Sequence, residues 1–191
     1  MHTIKNILLT LCLLTAMSIS TQAQEKYGKA LNVGVGIGGY SGYYGYAGQT
    51  MPVIHLDYEF DVAKNFTLAP FVNVYSYSGR YYYNYNKTGY RYYNYSETVI
   101  PVGVKGTYYF DSFLKANSKW DFYLAGSLGF AIRNAKWDAD YYGDKYAHNR
   151  ATNLFLDVHI GAEYHFNSKI GAFLDLSNGV STIGLAFHGG K

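Results

Sequence analysis

The feature that most constrains this sequence is an alternation of period two. From Asn153 to Phe166 the even positions are Leu154, Leu156, Val158, Ile160, Ala162, Tyr164 and Phe166. The odd positions are Asn153, Phe155, Asp157, His159, Gly161, Glu163 and His165. Successive side chains of a β-strand point to opposite faces, so this segment predicts a strand with one apolar face and one polar or small face. Beyond Ala23 no apolar run is long enough for a spanning helix, which needs about 20 residues.

The same pattern recurs along the chain. Val33, Val35 and Ile37 oppose Asn32, Gly34, Gly36 and Gly38. Ile54, Leu56, Tyr58 and Phe60 oppose His55, Asp57, Glu59 and Asp61. Leu68, Val72 and Val74 oppose Ala69, Phe71 and Asn73, and Ile100, Val102, Val104 and Tyr108 oppose Pro101, Gly103, Lys105 and Thr107. Phe122, Leu124, Leu128, Phe130 and Ile132 oppose Tyr123, Ala125, Ser127, Gly129 and Arg133. Ile170, Ala172, Leu174 and Leu176 oppose Gly171, Phe173 and Asp175, and Ile183, Leu185 and Phe187 oppose Thr182, Gly184 and Ala186. These segments predict eight strands in all, an even number that lets both ends of the chain lie together. Their connections alternate in length. Ala63-Lys64-Asn65 and Asn167-Ser168 are tight and Asp111 to Lys119 is moderate, whereas Gly39–Met51, Ser78–Glu97 and Asn134–Thr152 are long. Asn178-Gly179 is a hairpin-turn dipeptide.

The first 23 residues read as an address. Lys5 precedes the apolar run Ile7–Ala16, and Thr21-Gln22-Ala23 is a small-x-small cleavage site, the pattern of a secretory signal peptide. The lone cysteine, Cys12, lies inside that run after Leu11, which does not suit a lipoprotein site. The expected organisation is a leader over 1–23 and one domain over 24–191, stabilised without disulfides.

An eight-stranded alternating sheet can close with its apolar face inward, as in a soluble lipocalin-like carrier, or outward, as in a membrane barrel. The polar face is crowded with Gly34, Gly36, Gly103, Gly129, Gly161, Gly171, Ala125 and Ser127. Such residues fit the narrow interior of an eight-stranded barrel, whereas a water-facing exterior would carry many Lys and Glu. The apolar face also bears aromatics near strand ends: Tyr58, Phe60, Tyr108, Phe110, Tyr164 and Phe166. The expected fold is all-β: an eight-stranded antiparallel up-and-down transmembrane β-barrel with a polar, plugged interior. In its leader, strand count, connections and polar interior the chain resembles the small outer-membrane barrels of the OmpA/OmpX type. That resemblance implies residence in the outer membrane of a Gram-negative-type bacterium, among its lipids, after handling by the barrel-assembly machinery. Such barrels commonly end on an aromatic residue, but here Phe187 is followed by His188-Gly189-Gly190-Lys191.

The predicted interior network comprises His55, Asp57, Glu59, Lys105, Arg133, Asp157, His159, Glu163, His165 and Asp175, with Asp61 and Asp121 near strand ends. Buried charges must pair or meet water, so Lys105 and Arg133 are its natural centres. Acids outnumber these two cations, so protonated acids or charged histidines must balance them. Asp157 and His159, two apart on one face, could support general-base chemistry, as in a lipid-modifying enzyme. No serine motif or metal-ligand spacing accompanies them, so no catalytic residue, metal or cofactor is assigned. The expected role of this network is a structural plug, with a proton or ion path as the sharper alternative; a large pore is not expected, since aqueous channels need about 16 strands.

Charged residues make up 15% of the chain and the net charge is only +3, with no clustered basic face for nucleic acid. The other compositional signal is tyrosine, at 23 residues. Tyr81, Tyr82, Tyr83 and Tyr85 run into Lys87-Thr88-Gly89, and Tyr90, Arg91, Tyr92, Tyr93 and Tyr95 lead away. This predicts a protruding hairpin with tyrosines on both arms. Tyr81, Tyr83, Tyr85, Tyr90, Arg91 and Tyr92 are candidates for a surface that binds a glycan or a protein, since tyrosine offers rigid amphipathic contact area. The expected role is structural or adhesive, with a lipid-modifying enzyme and a lipocalin-like carrier of an apolar ligand as alternatives.

Overall fold

The structure is a computed structural model describing residues 27, 29–39, 50–84, 90–111, 119–138 and 153–189. The expected leader over 1–23 lies outside the described residues. The alternating segments form eight strands: β1 (Ala30–Gly38), β2 (Thr50–Ala63), β3 (Phe66–Asn84), β4 (Tyr90–Tyr109), β5 (Trp120–Trp137), β6 (Asn153–His165), β7 (Ile170–Ser177) and β8 (Val180–His188). Each pairs antiparallel with its neighbours in sequence, and β1 pairs with β8 from Ala30↔His188 to Gly38↔Val180. The sheet closes into an up-and-down barrel with no free edge. This is the outer-membrane type of architecture, because in lipid every backbone group must find its partner within the sheet.

The burial pattern settles which face is inside. Leu154, Leu156, Val158 and Ile160 on β6, Ile54 and Leu56 on β2, and Leu124, Leu128 and Phe130 on β5 are all exposed. The interleaved residues, from Asn32 and His55 to Asp175 and Thr182, are buried. A carrier with an apolar interior is therefore overturned: the apolar stripe faces outward and forms the belt of a transmembrane barrel.

One end carries the short turns. Lys64-Asn65 joins β2 to β3, with Asn65 in the left-handed region (φ 56°), which asparagine tolerates better than most residues. Between β6 and β7 the Asn167 side chain accepts hydrogen bonds from the backbone N–H groups of Lys169 (2.8 Å) and Ile170 (3.0 Å). An aromatic girdle surrounds this end. Tyr58 packs on Phe60 (4.8 Å between centroids), Trp120 on Phe122 (5.9 Å) and Tyr164 (4.9 Å), and Tyr164 on Phe166 (5.6 Å).

At the opposite, loop end the wall is uneven. β7 and β8, of 8 and 9 residues, meet at Asn178-Gly179, whereas β3 and β4 run for 19 and 20. Much of the segment expected as a long connection after Ser78 is thus ladder, paired out to Asn84↔Tyr90. The change of surface is visible on its outer face. Val74 and Ile100 give way to Ser76 and Thr98, whose hydroxyls bond at 2.9 Å, and the ladder continues above them. β5 also outruns its expected end at Arg133, reaching Trp137. Trp137 lies against Tyr95 (5.1 Å), and Asp138 accepts bonds from the Asn94 backbone (2.8 Å) and amide side chain (3.1 Å), tying β5 to the base of the hairpin.

Val158 lies midway along the outward stripe of β6. Val158→Arg is expected to destabilise the barrel by about 2–4 kcal/mol in lipid. Urea titration of protein folded into phospholipid vesicles measures this; an unchanged midpoint would mean that the face does not meet hydrocarbon.

Candidate functional site

Strand alternation aims His55, Asp57 and Glu59 of β2 at one another's side of the lumen, and closure brings five further strands to meet them. Lys105 lies opposite Ala69 of β3 and Ser127 of β5. The small Ala69 lets the lysine stem lean across β3 toward β2. There Nζ donates to Asp57 Oδ2 at 2.8 Å, and it stands 3.7 Å from Asp175 Oδ2 of β7. All three groups are buried. An ammonium between two carboxylates satisfies all three where single burial would be prohibitive.

Each carboxylate in turn holds a histidine. His55 Nε2 is 3.0 Å from Asp57 Oδ2, and its Nδ1 is 2.7 Å from Asn73 Oδ1. His159 Nδ1 is 2.7 Å from Asp175 Oδ1, and its Nε2 is 2.9 Å from Ser127 Oγ. The result is one chain of hydrogen bonds, with the Lys105–Asp175 ion pair as its one longer link, across the barrel: Asn73, His55, Asp57, Lys105, Asp175, His159, Ser127. Asn32 donates to Asp57 (2.7 Å) and Tyr123 to Asp175 (3.1 Å), fixing the carboxylates from below. A small cavity touches this chain, lined by His55, Phe71, Asn73, Lys105, Ser127 and His159 among others.

The remaining predicted groups fall in other layers. Glu59 accepts from Tyr109 (2.8 Å) and from Thr67, and Tyr109 stacks on Tyr27 with centroids 4.0 Å apart, toward the turn end. Glu163, His165 and Asp121 gather at the turn-end rim, where His165 Nε2 is 2.7 Å from Asp121 Oδ2. Asp61 accepts the Tyr27 backbone N–H at 2.9 Å. Asp157 is buried on β6 opposite Ser127. Arg133 does not share the centre with Lys105: it sits toward the loop end, with Nη1 3.4 Å from Glu97 Oε1. Between those two levels lies an apolar layer of Val53, Tyr75, Val99, Ala131 and Val180, which the expectation of a polar interior did not contain. Tyr81, Tyr83, Tyr85, Tyr90, Arg91 and Tyr92 were expected on the hairpin. The backbone of β3 and β4 carries 81, 83, 90, 91 and 92, with Tyr81 opposite Tyr93 and Tyr82 opposite Tyr92, while Tyr85 lies outside the described residues.

The Asp157–His159 pairing expected from sequence is replaced. The two ring nitrogens of His159 are taken by Ser127 and Asp175, which lie on β5 and β7. Serine hydroxyl, imidazole and carboxylate thus line up in the order used by nucleophilic hydrolases. The arrangement can hold and pass a proton, but Ser127 is only 3% exposed, deep inside the wall. Sequence reading placed Ser127 and Asn73 on the inward face without assigning them to the network, and did not place Glu97 there. The first two stood in the inward register and were recoverable from alternation; Glu97 fell in a segment expected to be a connection.

No known family matches the sequence, and no curated protein does. Among solved structures the chain is similar to Ail, the attachment invasion locus protein of Yersinia pestis. A crystal structure of Ail with the heparin analogue sucrose octasulfate shows 9% identity and a TM-score of 0.48, covering 86% of this chain and 99% of that one. A second Ail crystal structure gives 10% and 0.43 over the same shares. Its backbone structure in a phospholipid bilayer nanodisc gives 13% and 0.36, over 84% and 98%.

Lys105→Met removes the ammonium and leaves two buried carboxylates facing each other. A loss of about 3–5 kcal/mol is expected in the denaturant midpoint of detergent-folded protein. Adding Asp57→Asn should restore part of it. A Lys105→Met barrel as stable as the parent would show that Lys105 does not centre the network.

Proposed function

We propose that the chain is exported behind a cleaved leader (1–23) and that 24–191 forms an outer-membrane barrel serving as a rigid base for a surface-binding hairpin. The observation that carries this reading is the β3–β4 ladder, which continues beyond the apolar belt to Asn84↔Tyr90 and is braced by Trp137 and Asp138 of the next wall segment. A hairpin held this firmly loses little entropy when it binds. Its sequence supplies Tyr81, Tyr83, Tyr85, Tyr90 and Tyr92 as contact area, with Arg91 and the exposed Arg80 as cationic grips. A glycan or a protein at the cell surface is the partner class this chemistry suits. The loop end faces outward and the short turns face the periplasm, in keeping with barrels of this kind. Stacked side chains, above all the Val53–Tyr75–Val99–Ala131–Val180 layer, close the lumen. Outer-membrane lipids surround the belt, and Phe187, exposed on the last strand, offers the assembly machinery its aromatic signal.

Replacing 82–92 by Asn-Gly, directly between the paired Tyr81 and Tyr93, leaves the barrel intact and removes the tip. Membrane recovery and the gel-mobility shift on boiling should persist, while adherence of expressing cells to glycan and matrix-protein surfaces falls at least about tenfold, a loss of ~1.4 kcal/mol. Unchanged adherence would defeat the reading.

The Ser127–His159–Asp175 line supports a second reading, a lipid-modifying hydrolase. The burial of Ser127 argues against it, so no labelling of the folded protein by a fluorophosphonate is expected. Labelling at Ser127 that His159→Ala abolishes would establish the hydrolase instead.

A further inference from the structure

At the turn-end rim, below the Lys105 network, three potential ligands converge from strands that are distant in sequence. Glu163 and His165 stand two apart on β6 and so share its inward face. His188 ends β8, two strands away. Between them β7 contributes Gly171, paired with His165 on one side and Ala186 on the other. A Cβ at this glycine would run into the Glu163 carboxylate. The absence of a side chain is what lets Glu163 lie across β7 and reach β8.

Glu163 Oε1 is 2.7 Å from His188 Nε2 and 3.6 Å from His165 Nδ1, and the three donor atoms lie within 4.8 Å of one another. The imidazole rings are 5.0 Å apart. His165 is further constrained: its other nitrogen, Nε2, is 2.7 Å from Asp121 Oδ2 on β5. A metal-binding imidazole almost always donates its far N–H to a carboxylate or carbonyl, which fixes the ring and its tautomer. In the tautomer that gives Nε2–H to Asp121, the lone pair of Nδ1 is left on the side of the Glu163 carboxylate, where it can take a cation. The histidine side chains are 18% and 15% exposed, so an ion can enter from water and keep a water ligand. Asp111, just beyond β4, is raised from its ordinary value, first by burial and to a lesser extent by the charge of Asp121.

We infer that Glu163, His165 through Nδ1 and His188 through Nε2 form a site for a divalent transition metal, Zn²⁺ foremost, oriented by Asp121. Two imidazoles and a carboxylate suit zinc in a tetrahedral site whose fourth position holds water. The ion ties β6 to β8 over Gly171, beside the β8–β1 closure. Linear spacing could not reveal it, since the third ligand comes from another strand.

The test uses the full chain, without a polyhistidine tag, purified from membranes in detergent, stripped with a chelator and titrated with ZnCl₂ by calorimetry. One saturable site is expected, together with a Zn²⁺-dependent rise in the temperature at which the boiling-sensitive gel form is lost. His165→Ala and His188→Ala should each weaken binding by more than about tenfold, and Asp121→Asn by about tenfold. His148→Ala, in the Asn134–Thr152 segment and outside the proposed ligand set, should leave it unchanged. The gel shift reports folding, and His165→Gln and His188→Gln replace any alanine variant that fails to fold. No saturable uptake, or uptake that survives loss of either imidazole, would overturn the site and leave a proton as the bridge between these groups. Binding that depends on His148 would overturn it as well.

Discussion

Everything in this molecule follows from the closure of one sheet. A spanning sheet in lipid has no water to satisfy an open edge, so β1 must find β8. Closure with eight strands leaves an interior about as wide as its own side chains. That width explains the inward glycines. Gly161 lies beneath the Tyr123 ring, Gly129 beneath Phe155, Gly184 beneath Phe173 and Gly171 beneath the Glu163 carboxylate. Each small residue on one strand makes room for a large one on another, and the wall is complementary to itself.

Within that width, charge fixes alignment. A slip of one residue in a strand exchanges its two faces. For β4 it would bring Lys105 to the lipid and Val104 to Asp57. The cross-barrel chain from Asn73 to Ser127 draws on six strands, β2 to β7, so only one alignment of all six completes it. Each of the four described histidines also adjoins a carboxylate: His55 with Asp57, His159 with Asp175, His165 with Asp121 and His188 with Glu163. Each of these carboxylates therefore has an imidazole nitrogen within hydrogen-bond distance.

The fold was legible because alternation is a local signal: the face of Leu156 or Asp157 is set by its immediate neighbours. Partnership was not. Asp157 is two residues from His159, yet the imidazole meets Asp175 and Ser127, because strand tilt and closure, not sequence distance, decide which side chains share a level in the lumen. Strand ends were also hidden. Glu97 and Lys136 look like loop residues by composition, but strand pairing runs on through them into polar sequence beside the Tyr77–Tyr95 and Tyr95–Trp137 ring contacts, and aromatic cross-strand pairs contribute about 0.2–1 kcal/mol each. The inward apolar layer escaped notice for a related reason. Val53 and Val99 sit on polar faces of their strands, and only the closed barrel sets them beside Val180.

The unequal lengths of the strands give the barrel a front and a back. At roughly 3.3 Å per residue, β3 measures about 60 Å along its path and β7 about 26 Å. Among the described residues, one side of the rim stops near the bilayer while the other stands up like the back of a chair. Among the described residues, a partner arriving from the low side meets the inner surface of the tall hairpin together with the barrel rim. One arriving from the high side meets, among the described residues, the hairpin's outer face. A molecule symmetric in its transmembrane belt therefore has a direction in the plane of the membrane, and neighbouring copies with different headings would not offer a passing ligand the same surface.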